Sequence, residues 1–174
     1  MTRFRHYCHQ AIQIRASCNT HKMKKILVVL LAVFAYLSVS VGAVSAMTDT
    51  ELLSSINAAR SNADLAKMSL GTKLEKAAHM KLQDIQKYKY WNHNNPVTGE
   101  VWWKVVYKAG VRGKAAENLA RGYKDSNVVV AGWDNSPAHH VNLFSEVYKK
   151  VGLAVGEVEY PEGKKTVVVA VFGE

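Results

Sequence analysis

Apolar residues are spaced in three different ways along this 174-residue chain. They run without interruption over 26–36 near the start. From Thr48 they recur every three to four residues, so that Leu52, Ile56 and Ala59 share one face of a helix. Thr48 and Glu51 stand in capping-box spacing at its start, where a side-chain oxygen can satisfy a free backbone N–H. Thr72 and Glu75 repeat that spacing ahead of Leu74, Ala78, Leu82, Ile85 and Tyr88, the clearest amphipathic run in the chain. A shorter helix is expected over 100–108, with Trp102, Val105, Val106 and Ala109 inward and Gly110 ending it. One of the adjacent pair Trp102 and Trp103 must then face outward. Residues 126–133 read as a further helix, and Ser136-Pro137 as the start of another. Serine suits the N-cap there, and proline the first turn, where its missing N–H costs nothing.

After residue 150 the spacing shortens to two. Val151, Leu153 and Val155 alternate with Gly152, Ala154 and Gly156. Pro161-Glu162-Gly163-Lys164 marks a turn, and residues 166–172 are apolar and mostly β-branched. This predicts a buried antiparallel hairpin. Helices first and a hairpin last predict an α+β layered domain.

The N-terminal apolar run sets a compartment. Lys24-Lys25 precede it, and a small-residue segment ending Val44-Ser45-Ala46 follows. A positive start, a short apolar core and an Ala-x-Ala-like end are the parts of a secretory signal peptide, with cleavage expected after Ala46. The run falls short of the ~20 apolar residues that a membrane span needs. Residues 1–46 are therefore expected to be a leader, translated from Met1 or Met23, and 47–174 a single domain in a secreted, extracellular or periplasmic protein. Both cysteines, Cys8 and Cys18, fall in the leader, so the mature domain is held by its core without disulfides. Cys8, Cys18, His6, His9 and His21 match no zinc-ligand spacing. Six of the 23 Lys and Arg and none of the 14 Asp and Glu precede residue 47, so net charge falls from +9 to +3 in the mature segment. No arginine cluster or basic stripe with interleaved aromatics remains, which argues against a nucleic-acid partner.

Three short segments carry the candidate chemistry. They read Trp91-Asn92-His93-Asn94-Asn95-Pro96, Ala116-Glu117-Asn118-Leu119-Ala120-Arg121-Gly122, and Gly132-Trp133-Asp134-Asn135-Ser136-Pro137-Ala138-His139-His140-Val141-Asn142-Leu143. Their order and wording resemble the CAP superfamily: cysteine-rich secretory proteins, antigen 5 and pathogenesis-related proteins, also called SCP-like extracellular proteins. The resemblance runs from about Leu52 to Phe172. It implies an α-β-α sandwich, with a small antiparallel sheet between helical layers. It also implies a cavity lined by two histidines and two acidic residues. By motif, His93 matches the first histidine, Glu117 the first acid and His139 the second histidine, with His140 one position late. The second acid is replaced by Ser136. His93, Glu117, Ser136, His139 and His140 are thus the candidate cavity residues, and His93 and His139 the candidate ligands of a metal ion such as zinc. Neutral imidazoles suit zinc or copper, and a carboxylate or water could complete such a site. The same groups could transfer protons, with Glu117 orienting a histidine. A plainer role is open for each: Glu117 pinning a loop through backbone N–H groups, His93 capping the loop before Pro96, and His139 bonding within its own helix start. Asn118, Trp133 and Asn142 are expected to be scaffold, and His79 a surface or boundary residue. The dense Trp91, Trp102 and Trp103 could form a carbohydrate or lipid platform, though packing of Trp102 is the simpler expectation.

Two classes of function follow. One is a non-enzymatic extracellular module that binds an apolar small molecule, a glycan or a protein partner. The other is a metal-dependent hydrolase or peptidase acting through His93, His139 and Glu117. Neither Gly-x-Ser-x-Gly nor His-Glu-x-x-His occurs, which favours binding. The leader makes the first testable expectation. N-terminal sequencing of exported protein should read from Met47 or close to it, and a mature species that retains Cys18 would defeat both the cleavage assignment and the disulfide-free reading.

Overall fold

The computed structural model describes residues 46–174; the leader assigned above lies outside the described residues. Helix α1 spans Asp49–Asn62, and Thr48 and Glu51 form both halves of the expected capping box. Strand β1, Ser69–Leu70, leads into α2, Thr72–Tyr88. Here the predicted capping box does not form: Gly71 is the N-cap and Thr72 is already inside the helix. The cause lies upstream. β1 pairs with a later strand, and the Gly71 N–H donates to the carbonyl of Val151 at 3.0 Å, which fixes where the helix begins. Helix α3 covers Trp102–Lys108, two residues shorter at its start than the spacing predicts. The Glu100 carbonyl accepts from the Asn95 N–H and closes a loop instead. Val105, Val106 and Ala109 are buried, Trp102 is half-buried, and Trp103 is the outward member of the pair. Gly110 follows at φ +94°, a left-handed conformation that glycine adopts without Cβ strain.

Helix α4 is Ser126–Asp134, capped by the Asp125 carboxylate, which accepts from the N–H groups of Asn127 and Val128. Helix α5 is Pro137–Leu143 with Ser136 as N-cap, but the serine hydroxyl makes no capping bond. The tail is the expected hairpin: β3 Lys150–Tyr160 and β4 Gly163–Gly173, antiparallel, with Leu153 opposite Ala170. Its connection is tighter than predicted, because Tyr160 already pairs with Gly163.

The pattern reading misses one strand. Residues Ala115–Arg121 form β2, antiparallel to β4 with Glu117 opposite Val171. The sheet order is β1-β3-β4-β2, which puts β2 at an edge. Period-two alternation then separates two cores. Val168, Ala170 and Phe172 face Leu52, Ile56, Val129, Trp133 and Leu143 from α1, α4 and α5. Val167, Val169 and Val171 face Leu74, Ala78, Leu82, Ile85 and Val106 from α2 and α3. Covered on both faces, the strands read as a continuous apolar run. The result is the α-β-α sandwich.

Close packing of α2 on the sheet depends on glycine. A Cβ placed on Gly152 would fall 1.9 Å from the Leu74 carbonyl carbon and 2.1 Å from the Glu75 nitrogen. Both are backbone atoms, so no side-chain rotation relieves the clash. We expect Gly152→Ala to destabilise the domain by about 3 kcal/mol or more, the upper end for overpacking. Urea unfolding reads this directly. An unchanged midpoint would mean that the helix stands away from the strand.

A candidate site at the edge of the sheet

Alternation along β2 also builds the site. Ala116, Asn118 and Ala120 face the α1, α4 and α5 layer, and Glu117 and Leu119 face the α2 and α3 layer. Two adjacent polar side chains are therefore buried on opposite faces of one edge strand. Asn118, wholly buried, donates from Nδ2 to the His139 carbonyl at 3.0 Å and accepts at Oδ1 from Asn142 Nδ2 at 2.8 Å. These bonds clamp α5 to β2 at the level of His139. Trp133 completes the attachment by donating from Nε1 to the Leu119 carbonyl at 3.1 Å.

On the other face, the Glu117 side chain is 2% exposed and its Oε1 lies 2.7 Å from His93 Nδ1. His93 itself is 48% exposed at the side chain. A carboxylate accepts a hydrogen bond, so Nδ1 is the donor, and in the neutral imidazole Nε2 keeps a lone pair. Glu117 thus orients the imidazole and leaves its outward nitrogen free to bind or to take a proton.

His93 rides on the segment between α2 and α3, and a buried lysine holds that segment in place. Lys81, 2% exposed, donates from Nζ to the Tyr90 hydroxyl at 2.8 Å, to the Asn92 carbonyl at 3.1 Å and to the His93 carbonyl. Tyr90 in turn donates to Asp84 Oδ2. Asn95 Nδ2 donates to both Asp84 oxygens at 3.0 Å, and Asn95 Oδ1 accepts from the N–H groups of Val97 and Thr98. Tyr160 Oη on β3 donates to the Tyr90 carbonyl at 3.0 Å. Burial pulls the Lys81 ammonium below the usual lysine range, and the charges of Glu117, Asp84 and Glu100 pull it back up. Burial and the Asp84 bond push the Tyr90 hydroxyl well above the usual phenol range. Sequence reasoning misses this network. The signal was present: Lys81 interrupts the apolar stripe of α2 between Ala78 and Ile85.

His139 is half-buried on α5 and lies within electrostatic reach of His93. Burial lowers its affinity for a proton, and the nearby His93 lowers it further. The five sequence candidates do not stay together. His140 points away, with Nδ1 2.8 Å from Asp134 Oδ1 and its ring 4.5 Å from that of Phe144. It lines a separate concavity of about 600 Å³ between α1, α4 and α5, with Asp134, Phe144, Ala59 and Asn62. Adjacent residues on a helix point about 100° apart, which is why the neighbour of His139 cannot share its direction. Ser136 lies at the head of α5, where its carbonyl accepts from the N–H groups of His139 and His140. His79 is at the surface, its Nε2 3.8 Å from Asp49 Oδ2.

The geometry narrows what a metal ion could use. Among the described residues no three His, Cys, Asp or Glu side chains converge as a ligand set. Since Glu117 is committed to His93 Nδ1, a bound ion would take its protein ligands from His93 Nε2 and His139, with Glu117 behind the imidazole.

Residues 53–172 match the family model described as CAP, the cysteine-rich secretory protein family. The chain belongs to the CAP family. It is 33% identical over 104 residues to YkwD of Bacillus subtilis strain 168, itself an uncharacterised protein; the match covers 59% of this chain and 39% of YkwD. Similar solved structures include an outer surface protein of Borrelia burgdorferi, with TM-score 0.58 and 24% identity over 71% of this chain and 89% of that one. An extracellular protein containing an SCP domain from Bacillus anthracis str. Ames gives TM-score 0.60 and 24% identity over 72% of this chain and 39% of that one. A cysteine-rich secretory protein of Staphylococcus aureus subsp. aureus Mu50 gives TM-score 0.53 and 19% identity over 70% of this chain and 36% of that one. At these identities the structures speak for the CAP fold. The chain spans well under half of YkwD.

The electrostatics of His139 make the next prediction. A histidine whose folded-state pKa lies below its unfolded value of about 6.5 holds fewer protons when folded. The CAP domain should therefore lose stability as pH falls from above about 6.5 toward that lowered value, with the loss complete once both states are protonated. NMR titration should show the His139 ring protonating at lower pH than a free imidazole, and His139→Ala should flatten this part of the stability–pH curve. A His139 ring that titrates at or above the free value would contradict the burial argument.

Proposed function

We propose that this CAP domain is a non-enzymatic, extracellular-type binding module whose ligand contacts His93 and His139 at the edge of the sheet. The observation that carries the reading is the 2.7 Å contact between Glu117 Oε1 and His93 Nδ1, with the carboxylate 2% exposed and the imidazole 48% exposed. The acid is shut away from anything that could approach, and the histidine is presented to it. That suits Glu117 as a support for a binding surface more than as a group in contact with substrate. Export through the predicted leader fits the extracellular and outer-surface descriptions of the similar structures. Among the described residues no helix is long and apolar enough to cross a membrane. The ligand class includes apolar small molecules, glycans and protein partners. Zinc held by His93 and His139 would supply a Lewis-acidic contact for such a ligand, with Glu117 fixing the His93 tautomer.

The same His–carboxylate pair is what a general base needs, so a hydrolase is the competing reading. Glu117→Ala separates the two. Its removal strands the His93 Nδ1 proton and strips a counter-charge from buried Lys81, which should cost at least about 1–3 kcal/mol of stability. Loss of a general acid or base instead removes about 10²–10⁴-fold of rate and can leave the fold intact. We expect the variant to melt earlier, and a broad peptide and ester screen to show no specific turnover by the wild type. An unchanged melting temperature, with a wild-type activity that vanishes in the variant, would establish the hydrolase instead.

A further inference from the structure

A second surface, on helix α3 and beyond its end, carries its own chemistry. Helix α3 buries Val105 and Val106 and turns its other face to solvent. On that face Trp103 is 55% exposed and Tyr107 59% exposed, one helical turn apart. Cations flank both rings. Lys104 Nζ lies 5.8 Å from the Trp103 ring centroid, and the Arg112 guanidinium sits 3.7 Å from that of Tyr107. Arg112 is fixed there by donating from Nη1 to the carbonyls of Tyr107 and Val111. Lys108 pairs with Glu100. Beyond the helix end, Lys73, Arg112 and Lys150 line a concavity of about 470 Å³, in which Glu174 is the one acidic lining residue. Lys73 reaches the α3 end itself, since a Cβ on Gly110 would lie 3.8 Å from its Cδ. These residues bring five cationic side chains together with two acidic ones, Glu100 and Glu174.

Two large exposed rings one turn apart make an apolar patch rimmed by polar residues, the kind that marks an interaction surface. Tryptophan and tyrosine rings, apolar in body and polar at one atom, are favoured at the boundary between lipid headgroups and acyl chains. Lysine beside them can lay its stem along the apolar surface while its ammonium stays at the headgroups. Anionic headgroups attract such cations. A stacking platform for sugars would need open ring faces, and one face of Tyr107 is taken by Arg112. We propose that this face seats the domain on an anionic phospholipid surface, with Trp103 and Tyr107 at headgroup level and Lys73 and Lys104 paired with lipid phosphates. The attachment is peripheral, and it is independent of what His93 and His139 bind.

The test is sedimentation with vesicles of phosphatidylcholine alone and of phosphatidylcholine mixed with phosphatidylglycerol. Every variant is made in the same exported chain. The wild type should partition onto the mixed vesicles and not the neutral ones, and added salt should release it, since exposed charges separated by more than about 10 Å are screened at 0.1 M. Lys73→Glu with Lys104→Glu, and separately Trp103→Ser with Tyr107→Ser, should each weaken partitioning by about tenfold or more. Vesicles should also shift tryptophan emission to shorter wavelength, and Trp103→Phe should remove most of that shift. All these side chains are exposed, so urea midpoints should stay at the wild-type value and confirm folded variants. No partitioning, equal binding to neutral vesicles, or binding that survives both double substitutions would overturn the proposal. Capture of a protein in place of lipid, with no response to vesicles, would overturn it too.

Discussion

The buried ammonium of Lys81 is the interaction on which the candidate site depends. A lone charge in a protein interior is expensive, and it persists only when bonded and compensated. Lys81 meets both conditions: three oxygens accept from it, and Glu117, Asp84 and Glu100 supply opposing charge. Two of those oxygens are the carbonyls of Asn92 and His93. The backbone that carries the exposed histidine is thus bonded from beneath by α2, while the same histidine is bonded through its ring to β2. Glu117 serves both attachments. It accepts at His93 and compensates Lys81, so neither buried charge can be treated in isolation. Among the described residues no buried side-chain nitrogen or oxygen lacks a partner, so the network closes.

The second constraint is the edge position of β2. In the middle of the sheet, a strand with glutamate and asparagine side by side would put one polar group into each apolar core. At the edge, each meets a polar partner instead: Glu117 meets the His93 ring, and Asn118 meets the His139 carbonyl and Asn142. His93 arrives from the α2–α3 side and His139 from α5, and the strand's own alternation supplies one anchor to each. The site is therefore a consequence of strand period and edge placement, more than of any one loop conformation.

How much of this was legible in the sequence follows from the range of the interactions. Local signals were strong where they were local in the structure: the Thr48 and Glu51 capping box, the stripe of α2 and the hairpin of 150–173. Of the motif residues, His93 and Glu117 meet at 2.7 Å, and His139 lies within electrostatic reach of His93. What failed was decided at long range. Thr72 does not cap because β1 pairs with β3 and fixes Gly71. The Glu-Asn-Leu-Ala segment shows no alternation of apolar with exposed positions, since all five residues Ala116–Ala120 are buried. Its strand pairs across about fifty residues with β4, a partner that no local window contains. Lys81 in an apolar stripe reads as an imperfection until Tyr90, Asn92 and His93 are seen around it. His140 shows the converse error. Adjacency in sequence suggested a shared role, and helical geometry sends it to Asp134 instead.

Stability and site geometry are consequently hard to separate in this domain. Glu117, Lys81 and Asn118 hold the layers together and set the positions of the two histidines by the same bonds. A substitution at any of them changes folding free energy and site geometry at once, so activity lost with melting temperature carries little information about chemistry. The exposed side of His93 behaves differently. Its ring is half in solvent and meets the fold through one nitrogen, so the other can change occupant without cost to the core. Such a division, with a rigid polar foundation and one free coordination point above it, is what lets a scaffold keep its shape while its ligands vary. The residues that specify the sandwich are thus buried, and the half-exposed His93 rests on them through Glu117.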